Sequence, residues 1–317
     1  MKTPNDHEPD LFARFPTDEA ARLHLESIRW KDGIVCPHCE CRDQAKFSAI
    51  KANPETKVRE GLRWCAACKR QFTVTLGTVF ESSHIPLRKW LIAWYLVCSS
   101  KKGISSLQLQ RNLKLGSYRT ALFMTHRIRY ALQQPVFDTK LSGTIEADEA
   151  FMGGKATGKG KGSRTGKTVV LAMIQRGGEV RSQVLPAVTA NNLKQAIRDN
   201  VEICSEVHTD HSPLYVGIQP KYDLHSVKHK VNEFTRKEKN RVVTVNTVEC
   251  FFSLLKRGIT GTFHHVGAHR LPLYLAEFDH RFTHRFATDD DRTIAGIRRA
   301  EGKRMIYKTA KKKDERK

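Results

Sequence analysis

The sequence predicts a multidomain protein in which a small cysteine-rich β module and a helical region precede an α/β domain. Three observations lead to this prediction. Two CxxC pairs lie 25 residues apart, and apolar residues then recur at helical spacing. Beyond Pro135, strand-forming runs alternate with helical patterns, as expected for an α/β domain. With 317 residues, the chain is long for one compact unit.

The amino-terminal elements are predicted as one helix followed by a β module. Residues 17–30 have Thr17 in position to cap a helix, and Ala21, Leu25 and Ile28 are spaced to form one apolar stripe. After the second CxxC pair, the sequence FTVTLGTVF at 72–80 predicts a strand, a glycine turn and a second strand.

A helical region follows the β module. The apolar positions from Leu87 to Cys98 recur every three or four residues, which predicts an amphipathic helix. A short helix after Ser105 and Ser106, a break at Gly116 and a longer basic helix from Ser117 to about Leu132 come next. Helix, short turn and helix form the outline of a helix-turn-helix DNA reader.

The second half of the chain predicts the α/β domain. Residues 143–154, 168–178 and 179–188 indicate a meander of three strands. A helix at 193–201, strands at 205–210 and 224–227, and helices at 248–256 and 272–286 are predicted after it. The lysine-rich loop around Arg164 lacks the spacing and the following helix of a nucleotide-binding P-loop, so we interpret it as a loop that contacts the DNA backbone or is simply solvated.

The charge balance predicts a polyanionic partner. Lys and Arg number 55 against 33 Asp and Glu, a formal charge of +22, which favours nucleic acid. There is no run of about 18 apolar residues and no signal-peptide core, so we expect no membrane partner and a cytoplasmic, nucleoid-associated protein. In that reducing compartment, cysteines act as metal ligands or core residues rather than as disulfides.

The two CxxC pairs predict a structural zinc site. Four thiolates at this spacing close tetrahedrally on one Zn²⁺ ion, which would supply much of the stability of so small a module. His38 and Cys41 lie close enough in sequence to compete as ligands. The predicted ligands are Cys36, Cys39, Cys65 and Cys68.

Three carboxylates on separate predicted elements form the candidate catalytic site. Asp148 falls within a strand, Asp210 ends an apolar strand, and Glu249 lies on an amphipathic helix. Each alone is equally well explained as a surface, turn or helical acid. Together they suit phosphodiester chemistry, in which hard oxygen ligands hold two Mg²⁺ ions about 4 Å apart.

The chain from about Phe12 to Phe286 resembles the DDE-type insertion-sequence transposases that carry an amino-terminal zinc ribbon, the ISXO-type group. The motifs that carry the resemblance are CPHC, WCAACKRQFTVTLGTVFE, IEADEAFMGGK, VHTDHSPLY, NTVECFFSLLKRGITGTFHHV and YLAEFDHRF. It implies an RNase H-like catalytic domain. The expected organisation is a helical lead-in at 1–30, a zinc ribbon at 31–82, a helix-turn-helix-like DNA-binding region at 83–135, the RNase H-like domain at 136–290 and a basic tail at 291–317.

The resemblance also implies the chemistry. Asp148, Asp210 and Glu249 would hold two Mg²⁺ or Mn²⁺ ions, and Lys256, seven residues after Glu249, would meet a phosphate. Asn246 is the rival to Glu249 as the third member of the site. The family often has His-Thr where this chain has Thr244-Val245, and Asn where it has Thr283.

The expected function is therefore cleavage and strand transfer of double-stranded DNA at the terminal inverted repeats of an insertion sequence, by a homo-oligomer assembled on paired ends. Two alternatives remain open at this point. One is a DNA-binding regulator that derives from such an enzyme and has lost catalysis. The other is an RNase H-like nuclease that cuts without joining.

Overall fold

A computed structural model describes residues 12–134, 139–153, 166–228, 233–238 and 241–305. The chain divides into two compact units. The first comprises Met1–Val97, Ser106–Ala131 and Asp289–Lys317, and the second comprises Cys98–Ser105 and Leu132–Thr288. The lysine-rich loop around Arg164 and the end of the chain after residue 305 lie outside the described residues.

The first unit begins with the predicted helix, α1 (Asp18–Arg29). The Thr17 hydroxyl accepts a hydrogen bond from the Ala20 N–H at 3.1 Å, and Ala21, Leu25 and Ile28 are buried, so cap and stripe are both confirmed. A 3₁₀ turn (Gln44–Lys46) then leads into an antiparallel sheet whose strands lie in chain order. These strands are β1 (Phe47–Ala49), β2 (Arg63–Cys65) and β3 (Arg70–Phe72).

The prediction of a strand, a turn and a second strand across residues 72–80 is wrong beyond Phe72, where β3 ends. Hydroxyl groups hold this stretch in turns instead. The Thr78 hydroxyl donates to the Thr75 carbonyl oxygen at 2.6 Å, and the Gly77 N–H donates to the Glu81 carboxylate at 2.9 Å. Hydrogen bonds from side chains to nearby backbone compete with strand pairing. The alternation of apolar residues across 72–80 was therefore not enough to predict a strand.

The helical region agrees with its predicted outline. Its helices are α2 (Leu87–Ser99), α3 (Ser106–Asn112) and α4 (Tyr118–Leu132). The Ser117 hydroxyl accepts from the Thr120 N–H at 3.1 Å and so caps α4, as expected. None of the described helices combines the length and apolar character required to cross a bilayer.

A further helix, α8 (Asp289–Arg298), occupies the start of the stretch interpreted as a basic tail. Three acidic residues in its first turn suit the positive end of the helix dipole, and Thr293, Gly296 and Ile297 are buried. The basic residues beyond 300 suggested a tail, whereas the acidic residues at 289–291 begin a helix.

The second unit contains a five-stranded mixed sheet in the order β6-β5-β4-β7-β8. Strands β4, β5 and β6 form the predicted antiparallel meander, and β7 and β8 continue the sheet in parallel. The order third, second, first, fourth, fifth with an antiparallel second strand is that of an RNase H-like sheet, so the expected fold class is confirmed. The strands are β4 (Thr144–Met152), β5 (Thr168–Gln175), β6 (Val180–Leu185), β7 (Glu206–Asp210) and β8 (Asp223–Val227).

Helices cover both faces of this sheet. On one face, Ile145 and Ala147 of β4 share a core with Leu193 of α5 (Ala190–Asn200). On the other, Ala150 of β4 shares a core with Phe251 of α6 (Asn246–Arg257) and with α7 (Leu271–Thr283). Odd-numbered residues of β4 therefore face α5, and even-numbered residues face α6.

Several short elements connect this framework. A hairpin of β9 (Thr235–Glu238) and β10 (Arg241–Thr244) was not predicted, because the sequence TRKE lacks apolar alternation. Among the described residues, there are also 3₁₀ turns at Pro213–Tyr215 and Ala268–Arg270 and a π turn at Gly258–Thr262, directly after α6.

Candidate active site and metal centre

Asp148 and Asp210 lie side by side on neighbouring parallel strands. The register of β4 and β7 pairs Thr144 with Glu206 and ends with the pair Glu146 and His208. Asp148 and Asp210, the last residue of β7, each lie two residues beyond this last pair. Both side chains are half-buried on the face that α6 covers.

Glu249 enters the same region from the first turn of α6. The helix packs through Val248, Phe251, Phe252 and Leu255, all buried, while Glu249 beside them stays half-buried. Its position thus follows from helical periodicity: the apolar stripe faces the sheet, and the acid lies at the margin of that stripe.

The neighbouring acids affect the protonation of Asp148. Burial raises the pKa of the Asp148 carboxyl to about 7, and the negative charges of Glu149, Asp210 and Glu249 act in the same direction. An N–H bond from Glu149 opposes the rise. A carboxyl surrounded by like charges binds protons or cations strongly, so the donor set fits hard divalent ions.

The acids are not drawn together as ligands of a single small ion. Within the described part of the chain, they do not form a group whose ligand atoms all lie within 4.8 Å of one another, whereas four cysteines do. The structure thus brings the three predicted acids into one region at a wider spacing.

The other two candidate residues lie exposed on α6. Asn246 is the first residue of the helix, and its N–H donates to the Thr244 hydroxyl at 3.2 Å. Lys256 lies in the last turn, nearly two full turns after Glu249 and therefore on the same side. Among the causes given above for the raised pKa of Asp148, Glu249 is the one residue that belongs to α6.

Two acids that flank Asp148 have other partners. Glu149 points to the opposite face, where the Tyr215 hydroxyl donates to it at 2.6 Å. Burial, followed by the charge of Glu149, raises the pKa of Tyr215 well above its usual range, so the phenol stays a donor. Glu146 is fully buried under α6 and receives hydrogen bonds from its first turn, which the sequence analysis did not anticipate.

The four predicted zinc ligands converge in the first unit. The sulfur atoms of Cys36 and Cys68 are 3.7 Å apart, and those of Cys39 and Cys65 are 3.8 Å apart. A tetrahedron with Zn–S bonds of about 2.3 Å has edges of about 3.8 Å, whereas a disulfide requires about 2.05 Å. The distances therefore fit four thiolates around one Zn²⁺ ion.

The rival zinc ligands lie outside this group. The His38 ring is within 3.1 Å of the Gln71 carbonyl oxygen through Nε2, and Cys41 packs against the small ribbon core. Burial works to raise the pKa of the Cys65 thiol, but N–H bonds from Cys68 and Ala67 and the neighbouring thiols bring it down to about 7. Such N–H bonds favour the thiolate that binds metal.

Comparison with known protein families gives two matches, one over the cysteine cluster and one over the three acids. Residues 16–71 match a transposase zinc-ribbon domain, and residues 140–283 match an ISXO2-like transposase domain. An uncharacterized protein in transposable element ISH50 of Halobacterium salinarum is 25% identical over 285 residues, which cover 84% of this chain and 91% of that protein.

Solved structures show weaker likeness. A simian T-cell lymphotropic virus intasome in complex with PP2A regulatory subunit B56 gamma matches with a TM-score of 0.27 and 14% identity, over 60% of this chain and 65% of that chain, slightly less than two thirds. A pre-cleavage Mos1 transpososome matches with a TM-score of 0.28 and 12% identity, over 61% of this chain and 70% of that chain.

These structural likenesses are too weak to locate residues, so the assignment depends on the two sequence families. Together their matches cover more than half of the chain, and each match contains one of the two sites described above. The chain therefore combines a transposase zinc-ribbon domain at residues 16–71 with an ISXO2-like transposase domain at residues 140–283.

Proposed function

We propose that this protein cuts and rejoins DNA at the ends of an insertion sequence, with Asp148, Asp210 and Glu249 as the residues that hold two Mg²⁺ or Mn²⁺ ions. The observation that carries the proposal is geometric: Asp148 and Asp210 lie on neighbouring parallel strands of one sheet, on the face covered by α6, and Glu249 lies in the first turn of α6. Bound ions of this kind activate an attacking hydroxyl and stabilise the leaving oxygen of a phosphodiester.

The wider spacing of the acids supports two ions rather than one. Ions about 4 Å apart take their ligands from a broader span than a single ion does. Asp148, Asp210 and Glu249 are all half-buried beside the apolar stripe of α6. We prefer Glu249 to Asn246 as the third residue because of its charge and its contribution at Asp148.

DNA binding is assigned to the first unit and to the basic surface as a whole. The ribbon and the pair α3 and α4 would bind the element's inverted repeats, and the charge of +22 would hold the phosphate backbone. Lys256 would meet a phosphate beside the acids. Cleavage by water and attack by the released 3′-hydroxyl then take place at one site, in a homo-oligomer that pairs two ends.

The test uses the full-length, zinc-loaded protein and a plasmid that carries the segments flanking its coding region. Asp148→Asn, Asp210→Asn and Glu249→Gln should bind this DNA as the parent protein does, while nicking and joining in Mg²⁺ or Mn²⁺ both vanish. Glu202→Gln, which alters an exposed acid of the same unit, is the matched control and should retain both activities. Nicking without joining in the parent would favour a nuclease, and binding without either activity would favour a regulator.

A further inference from the structure

A polar network centred on the buried side chains of Glu146 and His208 lies on the α6 face of the sheet, next to the three acids. Each acid has a member of this network two residues before it in sequence: Glu146 before Asp148, His208 before Asp210 and Thr247 before Glu249. We propose that Glu146 is a positioning residue, which fixes the first turn of α6 against β4 and thereby sets Glu249 against Asp148. This inference rests on the function proposed above.

Glu146 caps a helix that lacks a cap of its own. The residue before α6 is Val245, which has no side-chain hydrogen bond to the helix. The Glu146 carboxylate takes over that role, because it accepts from the N–H groups of Thr247 at 2.7 Å and Val248 at 3.3 Å and from the Thr247 hydroxyl at 3.0 Å. A carboxylate at a helix amino terminus satisfies unpaired N–H groups and suits the helix dipole.

Arg176 makes this buried charge tolerable. The Glu146 side chain is fully buried, and its Oε1 accepts from the Arg176 guanidinium at 3.0 and 3.2 Å. Arg176 also donates to the Val242 carbonyl oxygen at 3.0 Å, in the strand that leads into α6. A buried carboxylate needs a cation and a full set of hydrogen bonds, and here it has both.

His208 extends the network to the strand that carries Asp210. Its Nδ1 accepts from the Thr244 N–H at 3.3 Å and lies 3.2 Å from the Arg176 guanidinium, so Nε2 is left to donate to Glu206 at 2.8 Å. Residues two apart on a strand point to the same face, so Glu146 shares a face with Asp148 on β4, and His208 shares a face with Asp210 on β7. The position of each acid is therefore tied to that of its buried neighbour. The network therefore links β4, β7 and α6, the three elements that carry the acids.

The same contacts exclude Glu146 as a metal ligand. Both of its oxygens already accept hydrogen bonds, and no part of the side chain is exposed. Asp148, in the same strand and on the same face, is half-buried and so differs from the fully buried Glu146. Glu146 thus acts on the reaction through Glu249 and Asp148 and does not touch the ions.

The test measures Mn²⁺ binding by electron paramagnetic resonance of the free ion, with full-length, zinc-loaded protein and no DNA. Glu146→Gln removes the charge and turns an amide NH₂ toward donors, while keeping the shape of the side chain. We expect its Mn²⁺ affinity to fall about tenfold, in the range seen when partners of metal ligands are changed. Its DNA cleavage should recover at raised Mn²⁺, whereas Glu202→Gln should match the parent in both measurements.

The outcomes separate this inference from the function on which it rests. If Asp148→Asn binds Mn²⁺ like the parent, the metal site is wrong and the inference is overturned with it. If Asp148→Asn loses binding while folded Glu146→Gln keeps parental affinity, positioning by Glu146 is overturned and the metal site stands. If Glu146→Gln does not fold, Thr247→Val decides: removal of one hydroxyl contact should weaken binding roughly two- to threefold, and parental affinity would refute the proposal.

Discussion

The cysteine cluster and the acidic site hold their ligands in opposite ways. Four sulfur atoms lie within 4.8 Å of one another, whereas the three acids come from separate elements and do not gather so closely. The ribbon core is small, with Cys36, Cys65 and Phe72 as its buried members, while a large apolar cluster packs α6 and α7 against the sheet that carries the acids. Metal should therefore complete the fold at the first site and only the chemistry at the second.

The largest expected effect is the loss of the ribbon when a ligand is removed. Cys65→Ser should lose the zinc ion and unfold the module, because structural zinc contributes about 10–16 kcal/mol in small zinc-binding peptides. Zinc content and tryptophan emission measure this, since all four tryptophans lie between residues 30 and 94. Cys41→Ser is the control and should keep its zinc; if it loses zinc instead, the ligand set is wrong.

Removal of an acid should leave the fold intact and end the chemistry. We expect Glu249→Gln to lower the rate of DNA nicking at least a thousandfold, on the order of other losses of metal or charge at catalytic centres. Asn246→Ala should lower it by about tenfold or less, because that side chain is exposed and uncharged. The reverse ranking of the two variants would make Asn246 the third member of the site.

The acidic site should also destabilise the metal-free domain. The folded-state pKa of Asp148, about 7, exceeds the ordinary 3.8, so protonation stabilises the fold, and this stabilisation is lost as the pH rises from about 4 through 7. Asp148→Asn should be more stable than the parent by about 2 kcal/mol at pH 8, after a discount for solvent access to this half-buried side chain. The difference should be smaller at pH 5.

Hydrogen exchange of the β5 amides, without Mg²⁺ or Mn²⁺, measures this difference in stability between Asp148→Asn and the parent. Tryptophan emission cannot report on it, because the second unit contains no tryptophan. Glu202→Gln, at an exposed position, should show no comparable pH dependence. A parent protein that is as stable as Asp148→Asn at pH 8 would mean that neither burial nor the neighbouring acids penalise the charged form of Asp148 in solution.

The sequence predicted what local patterns encode. The helix cap at Thr17, the meander and the convergence of four cysteines all follow from spacing within short stretches. It did not predict Glu146, because the acid stands in the same run as Asp148 and Glu149 and nothing local distinguishes them. Their different roles arise from strand alternation and from long-range partners, Thr247 for Glu146 and Tyr215 for Glu149.

The smallest effect concerns the cation on the same helix as Glu249. Lys256→Met should slow DNA nicking roughly fivefold or less, because an ion pair made by an exposed side chain contributes about 1 kcal/mol or less. The plot of log binding constant against log salt concentration should also become shallower, with a slope smaller by about one. Lys221→Met removes an equally exposed charge elsewhere in the same unit and should leave the nicking rate unchanged. Equal effects of the two variants would show that Lys256 contributes only general attraction to DNA. The acidic site would then lack a positioned cation, just as its three acids lack the close spacing of the four cysteines.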